Sequence, residues 1–167
     1  MPIKAIETRY KGYRFRSRLE ARWAVFFDAL KIRWEYEPEG FELGGGLRYL
    51  PDFKLPDDGR FPDMWLEVKP DVVIARNEID KVWSFAAQLK REARNVGVLV
   101  FRGEPYCPNG FITGMFGGVE ISGLIDDVAS FINVFAPKAG TDAAGVADAA
   151  LAARSARFEF GESGACV

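Results

Sequence analysis

The sequence predicts a mixed α/β fold, a sheet flanked by helices, on three observations. Leu19, Trp23, Phe26, Phe27 and Leu30 recur at helical spacing. Two segments between residues 47 and 69 read as neighbouring strands, each carrying charged residues among apolar ones. A second amphipathic helix then leads into a continuous apolar run, Val96 to Phe101, as expected of a strand covered on both faces.

The elements follow in order. Ser17 at an N-cap with Glu20 three residues on is a capping box, and the helix it opens runs to about Lys31. Trp34-Glu35-Tyr36-Glu37 alternates at period two and predicts a strand. Gly44-Gly45-Gly46 is a turn, Leu47 to Leu55 a second strand, and Pro56-Asp57-Asp58-Gly59 another turn. Met64 to Lys69 is a third strand, stopped by Pro70. The second helix covers about Arg76 to Arg94, with Ile79, Val82, Trp83, Ala86 and Leu89 as its apolar stripe. The Gly-rich stretch from Gly110 to Gly118 suggests a hairpin, and Ser122 is placed as the cap of a helix that Pro137 ends. Three strands joined by short turns pair antiparallel, and the following helix crosses over to a strand of the same sheet.

Composition divides the chain into a single domain over residues 1–136 and an Ala-rich helical tail over 137–167. A tail helix from about Asp142 to Phe158 follows from alanine propensity, but few large apolar groups anchor it, so weak docking or mobility is expected.

At 167 residues and 49% hydrophobic content the chain can bury a proper core. A net charge of −2 excludes a globally basic nucleic-acid binder, so a polyanion would have to meet a local patch. The cations between Lys4 and Arg22 form one such patch; their plainer reading is a solvated face. There is no histidine, which removes Ser-His and Cys-His nucleophiles, histidine-ligated zinc and any histidine base. Cys107 and Cys166 show no metal-type spacing and no disulfide framework, pointing to a reducing compartment. With neither a signal-like apolar stretch nor a membrane-length run, a cytoplasmic location without membrane partners is expected.

Chemistry concentrates in YLPDFKLPDDGRFPDMWLEVKP, Tyr49 to Pro70. Strand residues i and i+2 share a face, so Glu67 and Lys69 point together while Leu66 and Val68 face the other way. A short hairpin places Asp52 across from Glu67 or Lys69, with cross-strand Cβ atoms about 4.5–5.5 Å apart. Two ionised carboxylates that close repel; a raised pKa or a divalent cation relieves them. Oxygen ligands suit Mg²⁺ or Mn²⁺, which polarise a phosphoryl oxygen and acidify a bound water. Lys69 would then orient or deprotonate that water, or stabilise transition-state charge. Glu-x-Lys alone is a common exposed ion pair of little weight. Pro-Asp followed 15 residues later by Glu (67 − 52) is the more specific signal.

Together with Ser17-Arg18-Leu19-Glu20, the residues Tyr49-Leu50-Pro51-Asp52-Phe53 and Glu67-Val68-Lys69 resemble the PD-(D/E)XK nuclease superfamily, the restriction-endonuclease-like fold. Within it the chain is most similar to the endonuclease subunit of heteromeric transposases and to small phage-encoded relatives. The likeness spans roughly Tyr13 to Phe101. It implies an αβββαβ core and Mg²⁺-dependent DNA cleavage leaving 3′-hydroxyl and 5′-phosphate ends. Carried over, Asp52 and Glu67 would be metal ligands, Lys69 the catalytic lysine and Glu20 a helix-borne acid completing the metal site. Glu20 has a second reading, closure of the capping box onto Ser17. Arg14, Arg16 and Arg18 would contact DNA phosphates beside the site. Lys81 and Gln88, on the polar face of the second helix, read as solvated. A homodimer would serve double-strand cutting, with no interface legible, and a protein partner would go with the protein-binding reading. Two rival readings stay open: a non-catalytic nucleic-acid-binding relative of the same fold, and a phage protein-binding or inhibitory module.

Overall fold

The computed structural model describes residues 6–57, 63–71, 74–92, 95–105, 109–116, 119–125 and 143–158. In chain order the elements are β1 (Thr8–Tyr10), β2 (Tyr13–Phe15), α1 (Arg18–Ala29), β3 (Glu35–Tyr36), β4 (Phe41–Glu42), β5 (Arg48–Tyr49), β6 (Phe53–Leu55), β7 (Met64–Lys69), α2 (Arg76–Arg91), β8 (Gly97–Arg102), β9 (Asn109–Phe116), β10 (Val119–Ile125) and α3 (Ala143–Ser155). This is an α/β architecture with a mixed sheet. Contacts gather the chain into two compact units. One contains Met1–Arg33, Gly103–Pro108 and Asp127–Val167; the other contains Trp34–Arg102 and Asn109–Asp126. Segments from both ends of the chain thus share the first unit.

In the first unit, β1 and β2 form an antiparallel hairpin. Its two-residue loop puts Lys11 at φ 47° and Gly12 at φ 83°, the positive values that match the twist of the flanking strands. Thr8, Tyr10 and Phe15 are buried while Arg9 and Arg14 face each other across the ladder. The cationic run masked this hairpin in the sequence. Ser17 caps α1 as expected, its Oγ accepting the Glu20 N–H at 3.1 Å. Trp23, Phe26 and Phe27 are fully buried and pack ring against ring at 5.5–6.2 Å. The Trp23 indole donates to the Gly103 carbonyl at 3.0 Å. Helix α3 packs on α1 and buries Val146, Ala149, Ala150 and Ala153. Small side chains let two helices approach closely, so the absence of large apolar groups does not leave this helix unanchored.

The second unit is built on a six-stranded sheet in the order β10-β9-β8-β7-β6-β3. Strands β7 and β8 are parallel and every other neighbouring pair is antiparallel. Helix α2 makes the crossover that a parallel pair requires. A separate small sheet pairs β4 with β5. Met64 through Val68 of β7 are all buried, consistent with a central strand. One sheet face carries Trp65, Val98 and Val100, and packs with Val82, Phe85 and Leu89 of α2 and with Phe41 and Tyr49 of the small sheet. Phe85 is the hub: its ring lies 4.6 Å from Phe41, 5.0 Å from Tyr49 and 6.0 Å from Trp65.

Three expectations are corrected. The strand predicted over Leu47 to Leu55 is two strands, β5 and β6, interrupted at Pro51-Asp52; proline has no N–H to donate to a ladder. Trp83 was placed on the apolar stripe of α2 but is 45% exposed, and Phe85 takes the core position. Ser122 caps no helix: it lies in β10 and pairs with Thr113 of β9, because the Gly-rich hairpin supplies a complete partner strand. Leu124 and Ile125, expected on that helix, lie in β10 as well; its remainder from residue 126, with Pro137, and both cysteines lie outside the described residues. Among the described residues no helix is long and apolar enough to cross a membrane.

Truncating the hub tests this packing. Phe85→Ala should lower the unfolding free energy by about 3–5 kcal/mol, the range for deleting a buried phenylalanine, as read by urea denaturation. A change below about 1 kcal/mol would contradict the central placement of this ring.

Candidate active site

The site forms where β6 runs out beside β7. Phe53 pairs with Leu66, so extending the register by one residue sets Asp52 opposite Glu67. Asp52 is not in the ladder. Its Oδ2 instead accepts the Val68 backbone N–H at 2.7 Å, replacing the strand–strand bond lost beside Pro51. The Asp52 carbonyl accepts the Glu37 N–H at 2.9 Å, which fixes the backbone on its other side. Asp52 and Glu67 are 4% and 6% exposed. An ionised donor–acceptor pair of this kind contributes about 1.5–3 kcal/mol, and an unpaired buried carboxylate would cost more.

Glu67 and Lys69 share a strand face, as period two requires, and Lys69 Nζ sits 2.6 Å from Glu67 Oε1. Two further groups join them from elsewhere in the chain. The Tyr49 hydroxyl, at the end of β5, donates to Glu67 Oε2 at 3.0 Å. Glu78, in the first turn of α2, places Oε2 3.0 Å from Lys69 Nζ, while Lys81 Nζ holds its Oε1 at 2.9 Å. Carboxylates and ammonium groups thus alternate from Glu67 through Lys69 and Glu78 to Lys81.

The surroundings shift the titrations. Burial pushes the Tyr49 phenol far above its ordinary value, and the charges of Glu67, Asp52 and Glu78 push it further. For Lys69, burial pulls the ammonium down, but Glu67 and then Glu78 outweigh it and the net shift is upward. Glu78 is held below the ordinary carboxylate range by its hydrogen bonds to Lys81 and Lys69.

Of the residues singled out from sequence, Asp52, Glu67 and Lys69 come together in the second unit. Glu20 belongs to the first. It is 8% exposed and closes the capping box: Oε1 accepts from Ser17 Oγ at 2.6 Å and Oε2 from the Arg16 N–H at 3.1 Å. Arg14, Arg16 and Arg18 are also in the first unit; Arg14 is exposed and paired with Glu7. Gln88 bonds Glu92 on its own helix. Lys81, read from sequence as solvated, reaches the site through Glu78. Tyr49 and Glu78 were not anticipated. The one signal for Tyr49 was its position two residues before the Pro-Asp pair, and Glu78 resembled any first-turn acid.

Among the described residues no three Cys, Asp or Glu side chains gather as a ready metal cluster. Asp52 and Glu67 offer a two-carboxylate set of hard oxygen donors, the number with which Mg²⁺ commonly binds when waters and substrate phosphate complete its shell. No protein-family model matches the chain, and no curated protein matches it.

The ion ladder makes stability depend on pH at both ends. Lys69 has a folded pKa above its ordinary 10.5, so its contribution is full below 10.5 and is lost as pH rises through the folded value. Glu78 has a folded pKa below its ordinary 4.5, so its contribution is present above 4.5 and is lost as pH falls through the folded value. Lys69→Met should flatten the alkaline limb and weaken the acid limb in urea midpoints measured against pH. An unchanged alkaline limb would contradict the pairing.

Proposed function

We propose that this chain is a divalent-metal-dependent DNA endonuclease of the PD-(D/E)XK type, hydrolysing phosphodiesters to 3′-hydroxyl and 5′-phosphate ends. The observation that carries this reading is the convergence of Asp52, Glu67 and Lys69 at the β6–β7 junction, with Lys69 Nζ 2.6 Å from Glu67. The element sequence α1, β3, β6, β7, α2, β8, with β7 and β8 parallel, supports an αβββαβ core.

Asp52 and Glu67 would hold the Mg²⁺ or Mn²⁺. When bound, such a cation supplies Lewis acidity toward the phosphoryl oxygen. Asp52 presents its carboxylate in a fixed orientation because the Val68 N–H clamps Oδ2. The Tyr49 hydroxyl keeps Glu67 from rotating away from the same face. Lys69 presents an ammonium where charge develops on the scissile phosphate. Glu20, whose two oxygens are taken by Ser17 and Arg16 within the first unit, stays outside this donor set, and Arg14, Arg16 and Arg18 of that unit would contact DNA phosphates.

A second reading, a non-catalytic DNA-binding relative, is favoured by the pairing of both Glu67 oxygens, one with Lys69 and one with Tyr49. A plasmid-nicking assay in Mg²⁺ separates the two. Asp52→Asn, Glu67→Gln and Lys69→Met should each reduce cleavage by about 100-fold or more while salt-sensitive DNA binding persists. Cleavage that survives all three substitutions would end the nuclease reading at this site. DNA binding without cleavage in the parent chain would favour the non-catalytic one.

A further inference from the structure

The ladder of charges contains a residue that neither the strand pattern nor the family motif assigns. Lys69 is the last residue of β7, a flexible four-carbon stem ending in three rotatable donors. Glu67, two residues back, gives that ammonium one anchor, and one anchor leaves it free to swing about the contact. Glu78 supplies the second from a different element, at 3.0 Å. Two carboxylates, one on the strand and one on the helix, define a position rather than a mere neighbourhood.

Glu78 is itself well placed to act as a fixed point. It sits in the first turn of α2, where the helix dipole favours a carboxylate. Its other oxygen is held by Lys81 one turn along the same helix, so both oxygens are engaged and the carboxylate plane is set. Glu67 and Lys69 are 8% and 20% exposed at their side chains, whereas Glu78 is 34% exposed. The second anchor therefore lies on the solvent side and holds Lys69 from outside the buried strand.

We propose that Glu78, fixed by Lys81, is a positioning residue that holds the Lys69 ammonium in place independently of Glu67. This rests on the nuclease reading for its catalytic consequence, but not for its geometry. If Glu67 gives up part of its charge to a metal ion, its grip on Lys69 weakens. Glu78, outside the proposed donor set, keeps the ammonium at the reacting phosphate.

Two measurements on the full chain test this separately. Without metal or DNA, nitrogen-15 relaxation of the Lys69 ammonium should report a lower order parameter in Glu78→Ala than in the parent. Glu78→Gln, which keeps an acceptor oxygen and the side-chain length, should restore part of the order and guards against a folding defect in the alanine variant. In Mg²⁺ with plasmid DNA, Glu78→Ala should lower kcat by roughly 10- to 100-fold with KM nearly unchanged, and Glu78→Gln should recover part of the loss. Unchanged Lys69 order in Glu78→Ala overturns the positioning role even if cleavage falls. A loss expressed only in KM overturns its catalytic consequence. If the parent chain cuts no DNA, the nuclease reading fails while the relaxation arm still decides whether Glu78 holds Lys69.

Discussion

A carboxylate buried in an apolar strand must be matched by donors, and the second unit is organised around two of them. Asp52 and Glu67 are almost wholly removed from water. Asp52 takes a backbone N–H of the neighbouring strand, and Glu67 takes a tyrosine hydroxyl and a lysine ammonium. Removing one partner of a buried ion pair typically costs about 3–5 kcal/mol, because the remaining charge stays desolvated. That penalty couples β5, β7 and the Pro51-Asp52 segment ahead of β6, since each contributes an atom that the others need. The strand pairing and the charge pairing therefore support one another, which is the consistency expected of a foldable sequence.

Tyr49 joins the apolar core to the polar site. Its ring packs 5.0 Å from Phe85 within the cluster that includes Phe41 and Trp65, and its hydroxyl ends on Glu67. Buried tyrosine works well at such a boundary, with a large apolar body and one polar atom that must find a partner. Packing of α2 on the sheet thereby constrains Glu67 through Tyr49. The same helix reaches Lys69 through Glu78, so one rigid element sets the surroundings of two site residues.

Legibility from sequence varied with how local the governing interactions are. Met64–Lys69 is legible to the residue, since a short run of Met, Trp, Leu and Val ending at Pro70 leaves few alternatives. The α1 cap was equally plain, because a capping box lies within four consecutive residues. Residues 122–125 misled, as their apolar spacing continues into a helix-like pattern until a partner strand claims the backbone. Trp83 and Phe85 belong to two overlapping helical stripes that share Val82, and only the sheet beneath selects the one with Phe85. The β1–β2 hairpin was hidden by arginines that alternate outward.

Local rules suffice to put Glu67 and Lys69 on one strand face with Pro51-Asp52 in the neighbouring segment. Period-two alternation and the missing proline N–H act within a few residues. The other participants arrive through long-range packing. Tyr49 lies 18 residues before Glu67, and Glu78 lies nine after Lys69. Neither separation has a local period that would mark it. The two meet the site because the small sheet folds over the central strand and α2 returns along it to reach β8, and those placements are set by burial of Trp65, Phe85 and Phe41 together.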